Sequence, residues 1–306
     1  AAVAGMMLVL LVPICSPRKN ALGVGILTGI TVFLALACLL LVNPMSDQAR
    51  DPALSTIGGD YFHHLLVLDP FAWFFKLIVL LFVLIVVGLW SLTTRHAMGP
   101  GDAPEFFTLL LGATVGICLM GSTNNLLMIF LAVEMASLPS YILAGFRKTE
   151  RLGAEAAMKY VLFGAVCSSI MLFGISLLYG IFGTLDVQQI GLLARQHHLA
   201  FEGTGLLFAL STVALLVGIG YKIAMVPMHF WAPDVFEGTH MDVAAFLSVA
   251  SKAGGLALLL RVVYGFLPPT YNAAGDLIPH TVQAGGWLAI GILILATLTC
   301  FWGNLA

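Results

Sequence analysis

The sequence predicts an all-α fold, a polytopic transmembrane helical bundle, and three observations carry that prediction. Hydrophobic residues make up 60% of the chain and charged residues 9%, and the mean hydropathy is +1.03; soluble domains hold about 45–50% apolar and about 25% charged residues. The apolar residues gather in runs long enough to cross a bilayer core, which takes roughly 20 residues of helix. Those runs are continuously apolar rather than alternating, so they read as helices, which satisfy their own backbone in lipid.

On that yardstick about nine spans follow in order, near 1–15, 21–42, 67–92, 105–121, 124–144, 156–180, 204–226, 241–267 and 285–303. The chain lacks an initiator Met and stops inside an apolar run, so it reads as a piece of a longer protein. No charged leader precedes the first apolar stretch, so no signal peptide is expected.

Basic residues set the orientation. The odd-numbered loops hold Arg18, Lys19, Arg95, Arg147, Lys148 and Arg151, and the even-numbered ones only Arg50 and Arg195. Odd loops therefore face the cytoplasm and the N-terminus faces outward. The loops at 43–66 and 181–203 lie on the far side, and their histidines (His63, His64, His197, His198) are expected to be solvated.

Composition also excludes functions. With a net charge of −2 and no basic patch, nucleic-acid binding is not expected. Five scattered cysteines (Cys15, Cys38, Cys118, Cys167, Cys300) form no CxxC or Cys/His cluster. They read as small buried hydrophobes, and no metal, haem or iron–sulfur site is expected. No Gly-rich turn follows a strand, so no nucleotide site is expected. Gly25/Gly29 and Gly112/Gly116 stand at helical spacing and allow close helix packing.

Charges inside the spans remain. Lys76, two turns into its helix behind Asp69 and Pro70, and Arg261 are expected to snorkel to an interface. Lys159, one turn into its helix, reads equally as a snorkelling residue or as part of a proton path. Glu134 has about ten residues of helix on either side, about 15 Å at 1.5 Å each, beyond a glutamate's reach. An unpaired charge there costs about 2.5–3.5 kcal/mol, so it must be protonated, paired or hydrated. Lys222 is its natural counter-charge.

Both groups precede a proline by five residues. Pro139 cannot bond the carbonyl of Met135, nor Pro227 that of Ile223. Open backbone at membrane depth is tolerated where protein or a water-filled cavity satisfies it, so hydrated pockets are expected beside Glu134 and Lys222. Lys252 lies midway along 241–267, with Ser248 one turn back and Gly254-Gly255 beyond. Serine at that spacing shares the lysine's face and can orient the amine. Three ionisable groups of mixed sign on separate spans are what a proton relay needs. His229 and His240 are candidate links to the cytoplasm.

These residues carry a family resemblance. KIAMVPMHFWAPDVFEG, AFLSVASKAGGLALLLR, VEMASLPSYILAGFRKTERLGAEAAMKYVLFGA and SLLYGIFGTLDV resemble subunit N of bacterial respiratory complex I, the proton-pumping NADH:quinone oxidoreductase, the counterpart of mitochondrial subunit 2. The likeness is continuous over about 105–267 and weaker before it. It implies an antiporter-like fold of two inverted five-helix repeats with a proline-broken seventh helix. Residues 1–103 would be N-terminal helices, 104–267 the first repeat, and 268–306 the start of a second, truncated one.

It also implies that Glu134 is the key glutamate of the fifth helix, Lys159 a lysine of the sixth, Lys222 that of the broken seventh and Lys252 the central lysine of the eighth. A further lysine would lie beyond the end of this sequence. The location implied is the bacterial inner membrane, among the other membrane subunits. NADH, flavin, iron–sulfur clusters and quinone would be used on those other subunits, with no cofactor held here. A multisubunit cation/proton antiporter, a membrane hydrogenase or a ferredoxin-driven complex is the alternative. Two departures stand out: Thr239-His240-Met241-Asp242 replaces an Ala-Pro-Thr-Pro-like run, and Ser251 stands where a proline commonly precedes the eighth-helix lysine.

Overall fold

The computed structural model describes residues 21–41, 59–61, 65–93, 102–147, 150–196, 204–266 and 293–301. Helix α1 spans Ala21–Leu41, and a small antiparallel hairpin follows, β1 (Gly59–Tyr61) on β2 (Leu66–Leu68). Then come α2 (Pro70–Thr93), α3 (Asp102–Met120), α4 (Leu126–Ala144), α5 (Arg151–Phe182), α6 (Val187–Gln196), α7 (Thr204–Ile223) and α8 (Trp231–Gly238). Helix α9 runs Met241–Phe266 with a π-helical turn at Leu247–Ser251 inside it, and α10 covers 293–301.

Seven of the described helices (α1 to α5, α7 and α9) are long and apolar enough to cross a membrane. They match seven expected spans. The span near 1–15 lies outside the described residues, and only 293–301 of the last one is described. Strand β1 and α6 fall in segments expected as loops, and β2 takes the first residues of the span expected at 67–92. Helix α6 escaped a reading tuned to long apolar runs, because it is short and polar on one side.

The bundle is organised around α3, the most enclosed helix. Gly116 on α3 meets the backbone of α4 so closely that an added Cβ would sit 2.8 Å from the carbonyl carbon of Met135. Gly174 on α5 likewise faces Ser211 O of α7, at 2.7 Å from an added Cβ. Helices that touch backbone to backbone gain dispersion contacts, which drive association where lipid already matches apolar side chains.

Helix ends are closed locally. Asn125 caps α4, its Oδ1 accepting from Leu127 N at 3.0 Å and Met128 N at 3.2 Å. Gly183, at φ 68°, ends α5 in the left-handed conformation that glycine tolerates best.

Two expectations about basic residues are corrected. Arg261 does not snorkel. Its guanidinium donates to Asp69 Oδ1 at 2.6 Å, to Gly121 O at 2.8 Å and to Asn124 Oδ1 at 3.4 Å, and lies 5.0 Å from the Phe71 ring. It pins α9 to the start of α2 and to the α3–α4 turn. Lys76 is 6% exposed, near Cys118, Asp69 and Arg261. The reason lies in what covers that end. Strand β2 bonds the α3–α4 turn through Val67 N and Ser122 O at 2.7 Å, and Trp73 Nε1 donates to Leu39 O at 2.8 Å. The face of α2 that carries Lys76 therefore packs on protein, while Phe74 on another face stays exposed.

Candidate functional site

The site begins where α7 stops. Met225 N donates to Gly220 O at 2.8 Å and Ala224 N to Tyr221 O at 3.0 Å. This pair of bonds is a Schellman motif, with Ala224 in the left-handed position at φ 60°. A side chain there costs of order 1 kcal/mol or more, which is why glycine usually takes the place. The opening was expected at Pro227. The helix instead ends at Ile223, and Pro227 lies in the turn beyond. One freed donor of that turn, Val226 N, is taken up by Thr299 Oγ1 of α10 at 3.1 Å.

Lys222 sits in the last turn of α7 and is 1% exposed. Its Nζ donates to Ser137 Oγ on α4 at 3.1 Å, and Ser137 donates in turn to Val133 O at 2.6 Å. Glu134 lies one helical turn from Ser137, yet it forms no ion pair with Lys222. Its Oε1 is enclosed without a hydrogen-bond partner among the described residues. The expected contact pair is thus not made: Lys222 bonds Ser137, whose own proton goes to Val133 O. Helix α4 also runs unbroken through Pro139, so the two prolines act differently. Ser140 Oγ and Ser137 Oγ donate to Ala136 O and Val133 O, drawing carbonyls of the turns before Pro139 toward side chains.

Lys252 follows directly on the π turn of α9. Its Nζ lies 5.2 Å from the Phe236 ring centre and 5.9 Å from that of Trp231, both on α8. Cation–π contacts hold an amine without neutralising it. Gly255 brings α9 against α7, since an added Cβ would lie 3.0 Å from Ile223 Cγ1 and 3.4 Å from Lys222 Cβ. The two lysines therefore stand on helices in direct contact. The π turn also corrects the placing of Ser248. One extra residue per turn rotates the phase by about 100°. Ser248 points outward, bonding Ala245 O at 2.9 Å, and Ser251 takes the buried place.

Lys159 stands apart from this centre. Helix α5 starts at Arg151, so Lys159 is two turns in rather than one. The helix has 32 residues, about 48 Å at 1.5 Å each, against a hydrocarbon core of about 30 Å. Its first turns can stand outside that core. There Lys159 Nζ pairs with Asp234 Oδ2 at 2.7 Å and Glu155 Oε1 at 2.9 Å, all partly exposed.

His229 lies in the turn between α7 and α8, its ring 4.5 Å from Phe230. His240 Nδ1 meets Asp242 Oδ2 at 3.1 Å, and the Asp242 side chain is fully buried, so that acid now has a partner. His63, His64, His197 and His198 lie outside the described residues.

Sequence reasoning missed an aromatic box between Lys222 and Lys252. Tyr221 Oη donates to Tyr160 O at 3.0 Å and Trp231 Nε1 to Tyr221 O at 3.2 Å. Trp231 stacks on Tyr160 at 4.5 Å, and Tyr141 meets Tyr160 edge-on at 4.7 Å. The available signal was adjacency: Tyr221 precedes Lys222 and Tyr160 follows Lys159. Among the described residues no group of three His, Cys, Asp or Glu is placed to hold a metal ion.

Residues 123–306, more than half of the chain, match the family profile described as NADH:quinone oxidoreductase/Mrp antiporter, TM. The chain belongs to that family. It is a multi-pass membrane protein with the antiporter-like fold. Within the family it is similar to subunit N of NADH-quinone oxidoreductase. It is 39% identical to that of Chlorobium chlorochromatii over 81% of this chain and 46% of the relative. Against that of an Anaeromyxobacter strain the identity is 36%, over 94% of this chain and 54% of the relative.

Among solved structures, a chain of respiratory complex I from Thermus thermophilus with bound aureothin matches with TM-score 0.66 and 34% identity, over 86% of this chain and 53% of that one. A chain of an archaeal membrane-bound sulfane sulfur reductase shares the fold, with TM-score 0.71 at 20% identity, over 87% of this chain and 53% of that one. The chain spans about half the length of the curated relatives it matches.

Proposed function

We propose that this chain is the proton-translocating subunit N of an NADH:quinone oxidoreductase of the complex I type, in a bacterial inner membrane, with its N-terminus outside. Residues 104–267 form the first antiporter-like repeat in this reading. Electron transfer, with its flavin, iron–sulfur clusters and quinone, belongs to other subunits, which are also this chain's partners in the membrane. Similarity to subunit N favours this over a cation/proton antiporter subunit built on the same fold.

One observation carries the reading: Lys222 is enclosed at a helix end with a serine, and no carboxylate, in contact. Burial disfavours the charged form of a group and a nearby opposite charge favours it. A cation held by one neutral oxygen therefore depends on how near Glu134 stands. When energy from quinone reduction moves α4 against α7, the Glu134–Lys222 attraction weakens. Lys222 then gives up its proton toward Lys252 across the α7–α9 contact. Lys252, held by aromatic faces, can take a proton without being trapped by a carboxylate. His229 and His240 with Asp242 supply the proton from the cytoplasmic side.

The test is the number of protons pumped per NADH oxidised by the assembled complex. Glu134→Gln and Lys222→Ala variants are expected to oxidise NADH while pumping fewer protons. Unimpaired coupling in both would exclude the mechanism.

A further inference from the structure

Helix α8 is short, and no side-chain cap bond closes its start. A segment of that kind, set between two turns, takes its position from what it rests on. It runs back along the first turns of α5 and touches them along its length. At one end Gly238 lies so near α5 that an added Cβ would stand 2.6 Å from Leu152 O and 2.8 Å from Ala156 Cβ. In the middle Asp234 Oδ2 accepts from Lys159 Nζ at 2.7 Å. At the other end the Trp231 ring stacks on that of Tyr160, with centroids 4.5 Å apart. The two end contacts are van der Waals packing. Only the middle one depends on charge.

The same short helix also carries the rings that face the Lys252 amine, Phe236 at 5.2 Å and Trp231 at 5.9 Å. A cation–π contact reaches about 6 Å from the ring centre, so a slide of α8 along α5 by about 1 Å is enough to take the amine off Trp231. The seat of Lys252 is therefore only as well placed as α8 itself. Glu155 Oε1 meets Lys159 Nζ at 2.9 Å and steadies the amine from within α5, without reaching α8. The Lys159 and Asp234 side chains are partly exposed. An exposed ion pair contributes little to folding stability, so what this one sets is where α8 lies, not whether the bundle forms.

We infer that Asp234 is a positioning residue: bound to Lys159, it fixes α8 on α5 and so fixes the aromatic seat of the Lys252 amine. The placement matters only because Lys252 belongs to the relay proposed above. Lys159 then serves as a fixed cation and passes no proton. A nearby opposite charge favours the charged form, and Lys159 has two. Arginine in its place keeps a bridge to Asp234 and stays charged throughout turnover, which separates a tether from a proton carrier.

Lys159→Arg, Lys159→Met, Asp234→Asn, Glu155→Gln and the pair Lys159→Met with Asp234→Asn are made in the whole complex, beside Lys252→Met. Protons pumped per NADH are measured in the assembled fraction. Partial loss in Lys159→Met and in Asp234→Asn, no deeper loss in the pair, and normal pumping in Lys159→Arg and Glu155→Gln support the tether. Loss in Lys159→Arg as deep as in Lys159→Met overturns it, because position 159 then has to release a proton. Loss in Glu155→Gln as deep as in Asp234→Asn also overturns it, because the charge of the cluster and not the bridge to α8 then matters. If Asp234→Asn fails to assemble, Lys159→Arg against Lys159→Met decides. Normal pumping in Asp234→Asn beside lost pumping in Lys252→Met overturns the tether and leaves the relay standing. Normal pumping in Lys252→Met overturns the relay at Lys252, and the tether with it.

Discussion

Arg261 and Lys222 are both cations on membrane-spanning helices, both withdrawn from lipid, and the protein treats them oppositely. Arg261 spends its fork on a carboxylate, a backbone carbonyl and an amide, and binds three parts of the chain together. Lys222 has a single serine oxygen at 3.1 Å. A planar guanidinium with five donors, always charged, suits a fixed clamp. An amine that can lose its proton, kept short of partners, suits a switch. The contrast teaches that a buried cation announces function by what it lacks. Arg261 is saturated; Lys222 is left with one neutral partner, as the proposed relay requires.

The comparison can be broken from either end. The largest effect is expected from Lys222→Ala, which should nearly abolish this subunit's pumping while the complex still assembles and oxidises NADH. Proton uptake by membrane vesicles together with native-gel yield would show the split. Arg261→Ala should do the reverse. It leaves Asp69 with only Ala72 N donating to it and costs about 2–3 kcal/mol, visible as reduced yield and thermal stability of the complex, with normal pumping per NADH in what assembles.

Gly116→Ala comes next. Its methyl group would press on the α4 backbone beside Glu134, and overpacking of this kind costs about 1–3 kcal/mol. Stability should fall, and pumping should fall further than stability explains, because the Glu134 turn is displaced. The smallest effect is expected from Lys159→Ala, whose amine is partly exposed between Glu155 and Asp234. Pumping should drop less than in Lys222→Ala, and a drop as deep would move Lys159 into the relay's centre.

Much of the fold could be read directly. Long apolar runs leave few alternatives in lipid, so seven described helices stand where the runs predict them. Glu134, Lys222 and Lys252 stood out because charge is rare in such runs. What stayed hidden depends on local geometry that residue types do not announce. Nothing in Ala224 signals a left-handed helix end, since glycine is the usual sign. The π turn before Lys252 defeats spacing arguments that assume 3.6 residues per turn, which is why Ser248 was chosen and Ser251 was not. Lys76 and Arg261 were read as interface anchors because the hairpin over that end cannot be seen in an apolar run. The tyrosines drew no reading at all, because their rings and hydroxyls matter only through what several helices bring together.

The central claim is that the Glu134–Lys222 attraction weakens during turnover and lets Lys222 release its proton. Infrared difference spectra of the assembled complex, taken between resting and NADH-reducing conditions, test it most directly. A carboxyl band that changes with turnover, vanishes in Glu134→Gln and is lost or shifted in Lys222→Ala is the expected result. A spectrum in which no turnover-dependent carboxyl signal depends on Glu134 would contradict the account.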